Sequence, residues 1–216
     1  KRLIAYLLSN IGGIYAGQEN YPKALEYNMR ALKINEEIGE KLGIANMLTA
    51  VGDAYITLNN YPKALNCYNR SLKIAEELGY KELLAANLNG MAEIYDNQDN
   101  AAKALEYYNR ALTIAEEIGN KVHILICFKD IGNLYLKQGK TTEALDYCTQ
   151  SLTLSEEIGS LPLEKDACQC LYDTYKAMGN GNEALVYMEK IRVIEDSLNS
   201  KETIKKLEQM EFAKQV

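Results

Sequence analysis

The sequence predicts an all-α protein, a solenoid of five antiparallel helix hairpins followed by a C-terminal helix. Three observations support this fold class. The segments at positions 19–39 and 59–79 read ENYPKALEYNMRALKINEEIG and NNYPKALNCYNRSLKIAEELG, so one pattern recurs along the chain. Each repeat contains two segments with the apolar spacing of an amphipathic helix, and no segment shows the alternation that indicates a strand. Hairpins that cannot bury an apolar face alone bury it by stacking on their neighbours.

The repeat extends over almost the whole chain. Three columns keep their residue type in all five repeats, namely Tyr15, Tyr55, Tyr95, Tyr135 and Tyr175; Ala24, Ala64, Ala104, Ala144 and Ala184; and Leu25, Leu65, Leu105, Leu145 and Leu185. We therefore predict a repeat domain over residues 1–198, with repeats at residues 3–39, 43–79, 83–119, 123–159 and 163–198.

Each repeat is predicted to contain two helices. The i, i+3, i+4, i+7 spacing of the first helix is followed in the first repeat by Leu8, Ile11, Gly12 and Tyr15. The second helix begins where Asn20 or Tyr21 can cap it and Pro22 suits the first turn. It ends at Gly39, because glycine tolerates the left-handed conformation of a helix end.

The last segment, residues 199–216, is predicted to be a C-terminal helix with Ile204, Leu207 and Met210 on one side. Two interpretations remain open for it: a capping helix over the last hairpin, or a connecting helix that leads to another domain. It is also a candidate for dimerisation. Because the chain begins with Lys1 and not with Met, we expect it to be cut from a longer protein.

Composition restricts the partners. The net charge is -6 and the pI about 5.1, so no overall basic field favours nucleic acid. No apolar stretch approaches the roughly 20 residues that span a bilayer, so we expect no direct membrane insertion by this segment. A cytoplasmic and a periplasmic location both remain open. The five cysteines lie in predicted helices and are interpreted as small, buried apolar residues.

Residues that carry catalysis are not found together in this sequence. No Gly-rich phosphate loop is present, and the single histidine, His123, accompanies no nucleophile motif. The paired glutamates that begin with Glu36 and Glu37 recur in four repeats, whereas an active site occurs once. They are interpreted as a solvated face. We therefore predict no enzymatic activity for this chain, no cofactor and no metal site.

The spacing of small, tyrosine and alanine residues resembles the tetratricopeptide repeat. It is seen in IGGIY…PKAL, VGDAY…PKAL, MAEIY…AKAL and IGNLY…TEAL. The repeat is longer than the common form of this family, and Leu8, Leu48, Leu88, Phe128 and Cys168 occupy the usual Trp position. Longer repeats of this kind occur in relatives that include kinesin light chains and peptide-sensing bacterial regulators. The resemblance implies a right-handed superhelix that binds a protein or an extended peptide.

A second resemblance concerns the C-terminal segment. DSLNSKETIKKLEQMEFAKQ is similar to the segment that follows such repeats in bacterial sensor histidine kinases and adenylate cyclases. It implies that this chain is the sensing or docking region of a larger bacterial signalling protein whose output domain lies outside it. The alternative is a stand-alone adaptor or a peptide-responsive regulator.

The resemblance also places a ligand groove on the concave face, which the first helices line. The residues opposite the core stripe of these helices vary between repeats and are the candidate ligand contacts: Tyr6, Ser9, Asn46, Thr49, Asp53, Asn89, Glu93, Asp96, Ile126, Lys129, Asn133, Lys137, Asp166, Gln169 and Asp173. Acidic residues dominate this set in the second and third repeats, and Lys129 and Lys137 follow in the fourth. We therefore expect an extended peptide of mixed charge.

Overall fold

A computed structural model of the protein describes residues 1–215, with side chains for residues 1–200. These residues form ten α-helices and no strand: α1 (Arg2–Gly17), α2 (Tyr21–Ile38), α3 (Lys41–Thr57), α4 (Tyr61–Leu78), α5 (Lys81–Asn97), α6 (Ala101–Glu117), α7 (Lys121–Lys137), α8 (Thr141–Ile158), α9 (Leu161–Ala177) and α10 (Gly181–Gln215). The predicted all-α fold is therefore confirmed. The predicted apolar side of Ile204, Leu207 and Met210 lies outside the described side chains.

The chain divides into two compact units, Lys1–His123 and Ile124–Val216. In the first unit, α1 packs against α2, α3 against α4 and α5 against α6. The second helix of each hairpin also packs against the first helix of the next, so that α2 contacts α3 and α4 contacts α5. In the second unit, α8 packs against α9 and α9 against α10.

Helix ends in the first unit repeat the same chemistry. Asn20, Asn60 and Asn100 precede the second helices, and each side chain accepts a hydrogen bond from the backbone N–H three residues on, at 3.3–3.4 Å. Such caps satisfy backbone donors that a helix start leaves without partners. Gly39 and Gly79 end α2 and α4 with φ of 68° and 66°, the left-handed conformation that favours glycine.

The recurring glutamates pair with lysines at the start of the first helices. Lys1 contacts Glu37 at 3.0 Å, and Lys41 contacts Glu77 at 2.9 Å. Lys81 and Glu117 repeat the same pair at 3.0 Å. All of these side chains are largely exposed, so each pair contributes little to stability.

The second and third hairpins meet around Tyr68 of α4, whose side chain is fully buried. Its ring lies between two glycines, one from each neighbouring first helix. A Cβ on Gly52 of α3 would lie 2.9 Å from the ring, and a Cβ on Gly90 of α5 would lie 2.5 Å from it. The missing side chains therefore make room for the aromatic ring in the gap between α3 and α5.

A buried polar network lies at the same junction. Thr49 of α3 donates a hydrogen bond to Oδ1 of Asn87 at 2.7 Å, and Nδ2 of Asn87 donates to Oγ of Ser71 at 2.8 Å. The Ser71 hydroxyl donates to the carbonyl of Ala45 at 2.9 Å. The buried amide of Asn87 therefore has partners within the protein, as buried polar groups require.

The core of the second unit contains Cys148, Leu152, Leu171 and Ile194. Cys148 of α8 and Cys170 of α9 form a disulfide, with their Cα atoms 5.7 Å apart. The expectation that all five cysteines serve only as buried apolar residues is therefore wrong for this pair. The reason is that packing of α8 against α9 brings together two cysteines that are distant in sequence, which sequence spacing does not show.

Helix α10 continues without a break from Gly181 to Gln215 and is 35 residues long. Residues 199–215, predicted above to be a capping or a connecting helix, thus continue the second helix of the last hairpin. Asn199 stands in this segment where a glycine ends α2, α4 and α8. Its hairpin partner α9 has only 17 residues.

The packing of Tyr68 generates a stability prediction. Gly90→Ala is expected to lower the free energy of unfolding by about 1–3 kcal/mol, because the new methyl group overlaps a buried ring that cannot move away. Chemical denaturation measures the change. Gly13→Ala is the matched control: it lies within α1 with open space around it, so it should raise stability by about 0.5–1 kcal/mol. Equal effects at both positions would contradict the packing account.

Candidate functional site

Two cavities open between α1 and α3, with side chains of α2 at their base. The first, here called the Asn28 cavity, has a volume of about 250 Å³. Its lining residues are Ser9, Gly13, Ala16, Tyr21, Ala24, Asn28, Ala50, Asp53, Ala54 and Thr57. The second, the Asn35 cavity, has a volume of about 310 Å³. Its lining residues are Arg2, Ala5, Tyr6, Ser9, Asn35, Glu40, Gly43, Asn46 and Met47. Ser9 lines both, so the cavities adjoin.

Some of the predicted ligand contacts come together here. Tyr6, Ser9, Asn46 and Asp53 line one or both cavities. Thr49 lies between Asn46 and Asp53 in sequence, but its hydroxyl takes part in the internal network with Ser71 and Asn87. The remaining predicted contacts of the first unit are half-buried or exposed on α5 and line neither cavity; they are Asn89, Glu93 and Asp96.

The other predicted contacts belong to the second unit. Each is exposed or half-buried on α7 or α9, and they are Ile126, Lys129, Asn133, Lys137, Asp166, Gln169 and Asp173. Two of them bond to each other, because the Gln169 amide donates to the Asp173 carboxylate at 2.9 Å. Lys129 pairs with its neighbour Asp130 at 3.1 Å. Part of this surface is therefore engaged within its own helix.

Sequence reasoning missed two asparagines of α2. Asn28 is 5% exposed and Asn35 is 8% exposed. Neither side-chain amide hydrogen-bonds any group among the residues that the structure describes. No fully enclosed polar side-chain atom in this part of the chain lacks a partner, so both amides keep contact with the cavities that they line. They are buried polar groups for which the fold supplies no partner.

The contact between the first two hairpins is here called the first junction, and the contact between the second and third hairpins the second junction. Comparison of the two explains why the cavities exist at the first. Tyr68 takes the place in the second repeat that Asn28 takes in the first, and its ring fills the gap between α3 and α5. The shorter Asn28 packs against Gly12 of α1, and the space that remains between α1 and α3 is the Asn28 cavity. Where Asn35 faces Gly43, a Cβ on that glycine would lie 2.7 Å from Oδ1 of Asn35. At the equivalent place of the next junction the larger Leu83 packs with Ala75 in the core.

The wall of the Asn28 cavity carries a carboxyl group in a constrained setting. Tyr68 donates its hydroxyl hydrogen bond to Oδ1 of Asp53 at 2.6 Å. Burial raises the pKa of the Asp53 carboxyl above its ordinary value, and the hydrogen bond from Tyr68 lowers it in part. The pKa of Tyr68 is raised strongly, first by burial and then by the nearby charge of Asp53. Asp53 is thus a fixed acceptor that reaches the cavity.

A third cavity of about 430 Å³ lies on another face of the first unit. Its apolar lining includes Met29, Leu32, Leu48, Val51 and Tyr55. The polar side chains at this cavity, Lys63, Asn66 and Arg70, are exposed to solvent, and Arg70 already pairs with Glu36 at 2.8 Å. This cavity therefore offers apolar surface and no buried polar group that needs a partner.

Two further searches concern metals and membranes. Within the described residues, no group of three or more His, Cys, Asp or Glu side chains could hold a metal ion. No helix in the same part of the chain combines the length and the apolar character that crossing a bilayer requires.

Sequence comparison identifies the family. Residues 3–77 and 83–157 match the family model described as tetratricopeptide repeat. The chain therefore belongs to the tetratricopeptide repeat family, whose repeats form helical scaffolds that bind proteins or peptides and are generally not catalytic. No curated protein matches the chain in sequence.

Solved structures share the fold. BtubC (BKLC) from P. vanneervenii is 18% identical with a TM-score of 0.74; the match covers 92% of this chain and 82% of that one. A Rap protein complexed with competence and sporulation factor is 18% identical with a TM-score of 0.82, covering 89% of this chain and 54% of that one. A STAND protein with a tetratricopeptide repeat sensor from Pyrococcus horikoshii is 20% identical with a TM-score of 0.74, covering 92% and 30%. These likenesses confirm the solenoid class.

The chain spans about half the length of the Rap protein and less than a third of the STAND protein. At 18–20% identity the likeness concerns the fold alone. What those proteins bind is a property of those proteins. A ligand for the present chain has to be argued from its own residues.

The contact between Tyr68 and Asp53 generates a prediction about pH. Tyr68→Phe removes the hydrogen bond that lowers the pKa of Asp53, so this pKa should rise further. Loss of the bond should also cost about 1 kcal/mol of stability. A raised carboxyl pKa means that the folded state binds the proton more tightly than the unfolded state does. The contribution of Asp53 to the free energy of unfolding therefore falls as the pH rises from the ordinary carboxyl pKa through the pKa of the folded state. An NMR titration of the Asp53 carboxyl carbon measures the shift, and an unchanged or lower pKa in the variant would contradict the assignment.

Proposed function

We propose that this chain is a peptide-binding domain and that its ligand site is the pair of cavities between α1 and α3. The observation that carries the proposal is the pair of buried amides of Asn28 and Asn35, which line these cavities without partners in the described protein. Because their polar atoms reach the cavities and have no partner in the described protein, these amides can hydrogen-bond a ligand that replaces water there.

We further propose that the domain is the sensing or docking region of a larger bacterial signalling protein. The unbroken α10 supports this role, because a 35-residue helix is about 50 Å long and extends well past its hairpin partner α9. A helix of this kind can connect a ligand site to an output domain. The alternative function is a stand-alone adaptor or peptide-responsive regulator. The length of the native reading frame distinguishes the two.

Charge favours a ligand with basic residues. The net charge of the chain is -6, and Asp53 and Glu93 stand at equivalent positions of α3 and α5. Both carboxylates also raise the pKa of Tyr68, and Asp53 accepts the hydrogen bond of its hydroxyl at 2.6 Å. A basic side chain of a peptide could donate hydrogen bonds to these two negatively charged carboxylates.

A peptide selection tests the proposal. The probe is a phage-displayed library of random dodecapeptides, selected on the immobilised chain, with the enriched peptides then synthesised and measured by fluorescence anisotropy. We expect enriched sequences to contain Lys or Arg. Asp53→Asn with Glu93→Gln should weaken their binding about threefold to tenfold, because it removes two charges and keeps the shape and the acceptor for Tyr68.

The control is Glu26→Gln with Glu106→Gln, which removes the same charge from exposed positions of α2 and α6. This variant should bind as the wild type does. If no peptide is enriched over background, the proposed function is wrong. If both double variants weaken binding equally, net charge and not the face of α3 and α5 attracts the peptide.

A further inference from the structure

We infer that Asn28 and Asn35 form an amide ladder that hydrogen-bonds the main chain of an extended peptide, with a basic side chain of that peptide in the Asn28 cavity beside Asp53. The inference rests on the proposed function and names the groups that would carry it. It assigns the ligand contacts to the second helix of the first hairpin, whereas the sequence pattern placed them on first helices.

The side-chain amide of asparagine is suited to hydrogen-bonding the main chain of a peptide. It presents one acceptor oxygen and two donor hydrogens, which complement the N–H and C=O groups of a peptide unit. A ligand bound through these groups is recognised largely without regard to its side chains. Both amides line the cavities from α2, and the Asn35 amide occupies the space that the missing side chain of Gly43 leaves on α3.

The spacing of the two amides fits an extended chain. Asn28 and Asn35 lie two helical turns apart on α2, which corresponds to about 10 Å along the helix axis. An extended or polyproline-type chain advances about 3.1–3.4 Å per residue, so roughly three residues cover this distance. A peptide that follows α2 through both cavities would therefore meet the two asparagines with main-chain groups about three residues apart.

The walls of the two cavities differ in charge. In the Asn28 cavity, Ala16, Ala50 and Ala54 provide apolar surface and Asp53 provides a carboxylate. A lysine or arginine side chain buries an apolar stem and carries a charged end, which matches this arrangement. In the Asn35 cavity the ionic groups Arg2 and Glu40 already pair at 2.6 Å, so a neutral part of the peptide belongs there.

The second junction shows that the protein does not need unpaired asparagines to stack hairpins. There the buried Asn87 bonds to Thr49 and Ser71. Ala75 and Ala115 replace Asn35 in the following two repeats, and both are fully buried. An alanine at this column is thus compatible with the fold where the residue opposite is larger, as Leu83 is opposite Ala75, whereas the Asn35 amide lies against Gly43.

The experiment uses the full chain and the tightest dodecapeptide from the phage selection. Asn28→Ala and Asn35→Ala are each expected to raise the Kd about tenfold, because each removes a hydrogen bond to a buried group. Asn69→Ala, an exposed asparagine of α4, is the matched control and should leave the Kd unchanged. Side-chain amide signals of Asn28 and Asn35 should shift in NMR spectra when the peptide is added.

Main-chain recognition is tested by replacing each amide of the peptide with an ester, one at a time. We expect two sensitive positions about three residues apart, and each should lose its sensitivity in one of the two asparagine variants. A peptide that binds the wild type and both asparagine variants equally would overturn the ladder and leave the proposed function standing. Failure of the selection to enrich any peptide would overturn both.

Discussion

The gap between successive first helices is the constraint on which the first unit depends. A side chain of the intervening second helix reaches into that gap, and the size of this side chain decides whether the contact between the two hairpins is closed. At the second junction Tyr68 fills the space between Gly52 and Gly90, and its hydroxyl is satisfied by Asp53. Because interiors are packed as densely as crystals, such a fit leaves no room for a ligand.

The first junction uses the same backbone scheme with different side chains. The position of Tyr68 is occupied by Asn28, and Ala50 stands where Gly90 does, so the filling ring is absent and two adjoining cavities remain. The amides at the base of these cavities are polar groups that the fold leaves without partners in the described residues. Because the closed junction packs a ring into the equivalent space, substitution toward its residues should raise stability.

The fold could be predicted from sequence because its signal repeats. Every repeat has the tyrosine of Tyr15 and the alanine of Ala24 at equivalent positions. Each repeat therefore supports the helix assignment made from the others. The proposed site was predicted only in part. Ser9 and Asp53 were assigned from their helix face, but Asn28 and Asn35 lie on the buried face of a second helix, where a core residue is expected.

The repeat alignment did contain a signal for the two asparagines that the prediction missed. Asn28 and Asn35 stand in the first repeat where the next two repeats carry tyrosine and alanine. Whether such a change opens a cavity depends on the residues opposite, here Gly43 and Ala50, and these belong to another hairpin. The pairing of Cys148 with Cys170 escaped prediction for the same reason, since contacts between helices are not visible in a single helix pattern.

The most direct test uses a variant in which the first junction, between α1 and α3, carries the residues of the second junction, between α3 and α5. The quantity to measure is the free energy of unfolding of this variant. The substitutions are Gly13→Asp, Asn28→Tyr, Asn35→Ala, Gly43→Leu and Ala50→Gly, which reproduce the residues at the equivalent positions of the next repeat. Burial of the new tyrosine and leucine should outweigh the glycine introduced into α3, so we predict a gain of about 2 kcal/mol or more. A variant that is no more stable than the wild type would show that the first junction is not an unfilled version of the second, and would contradict the account.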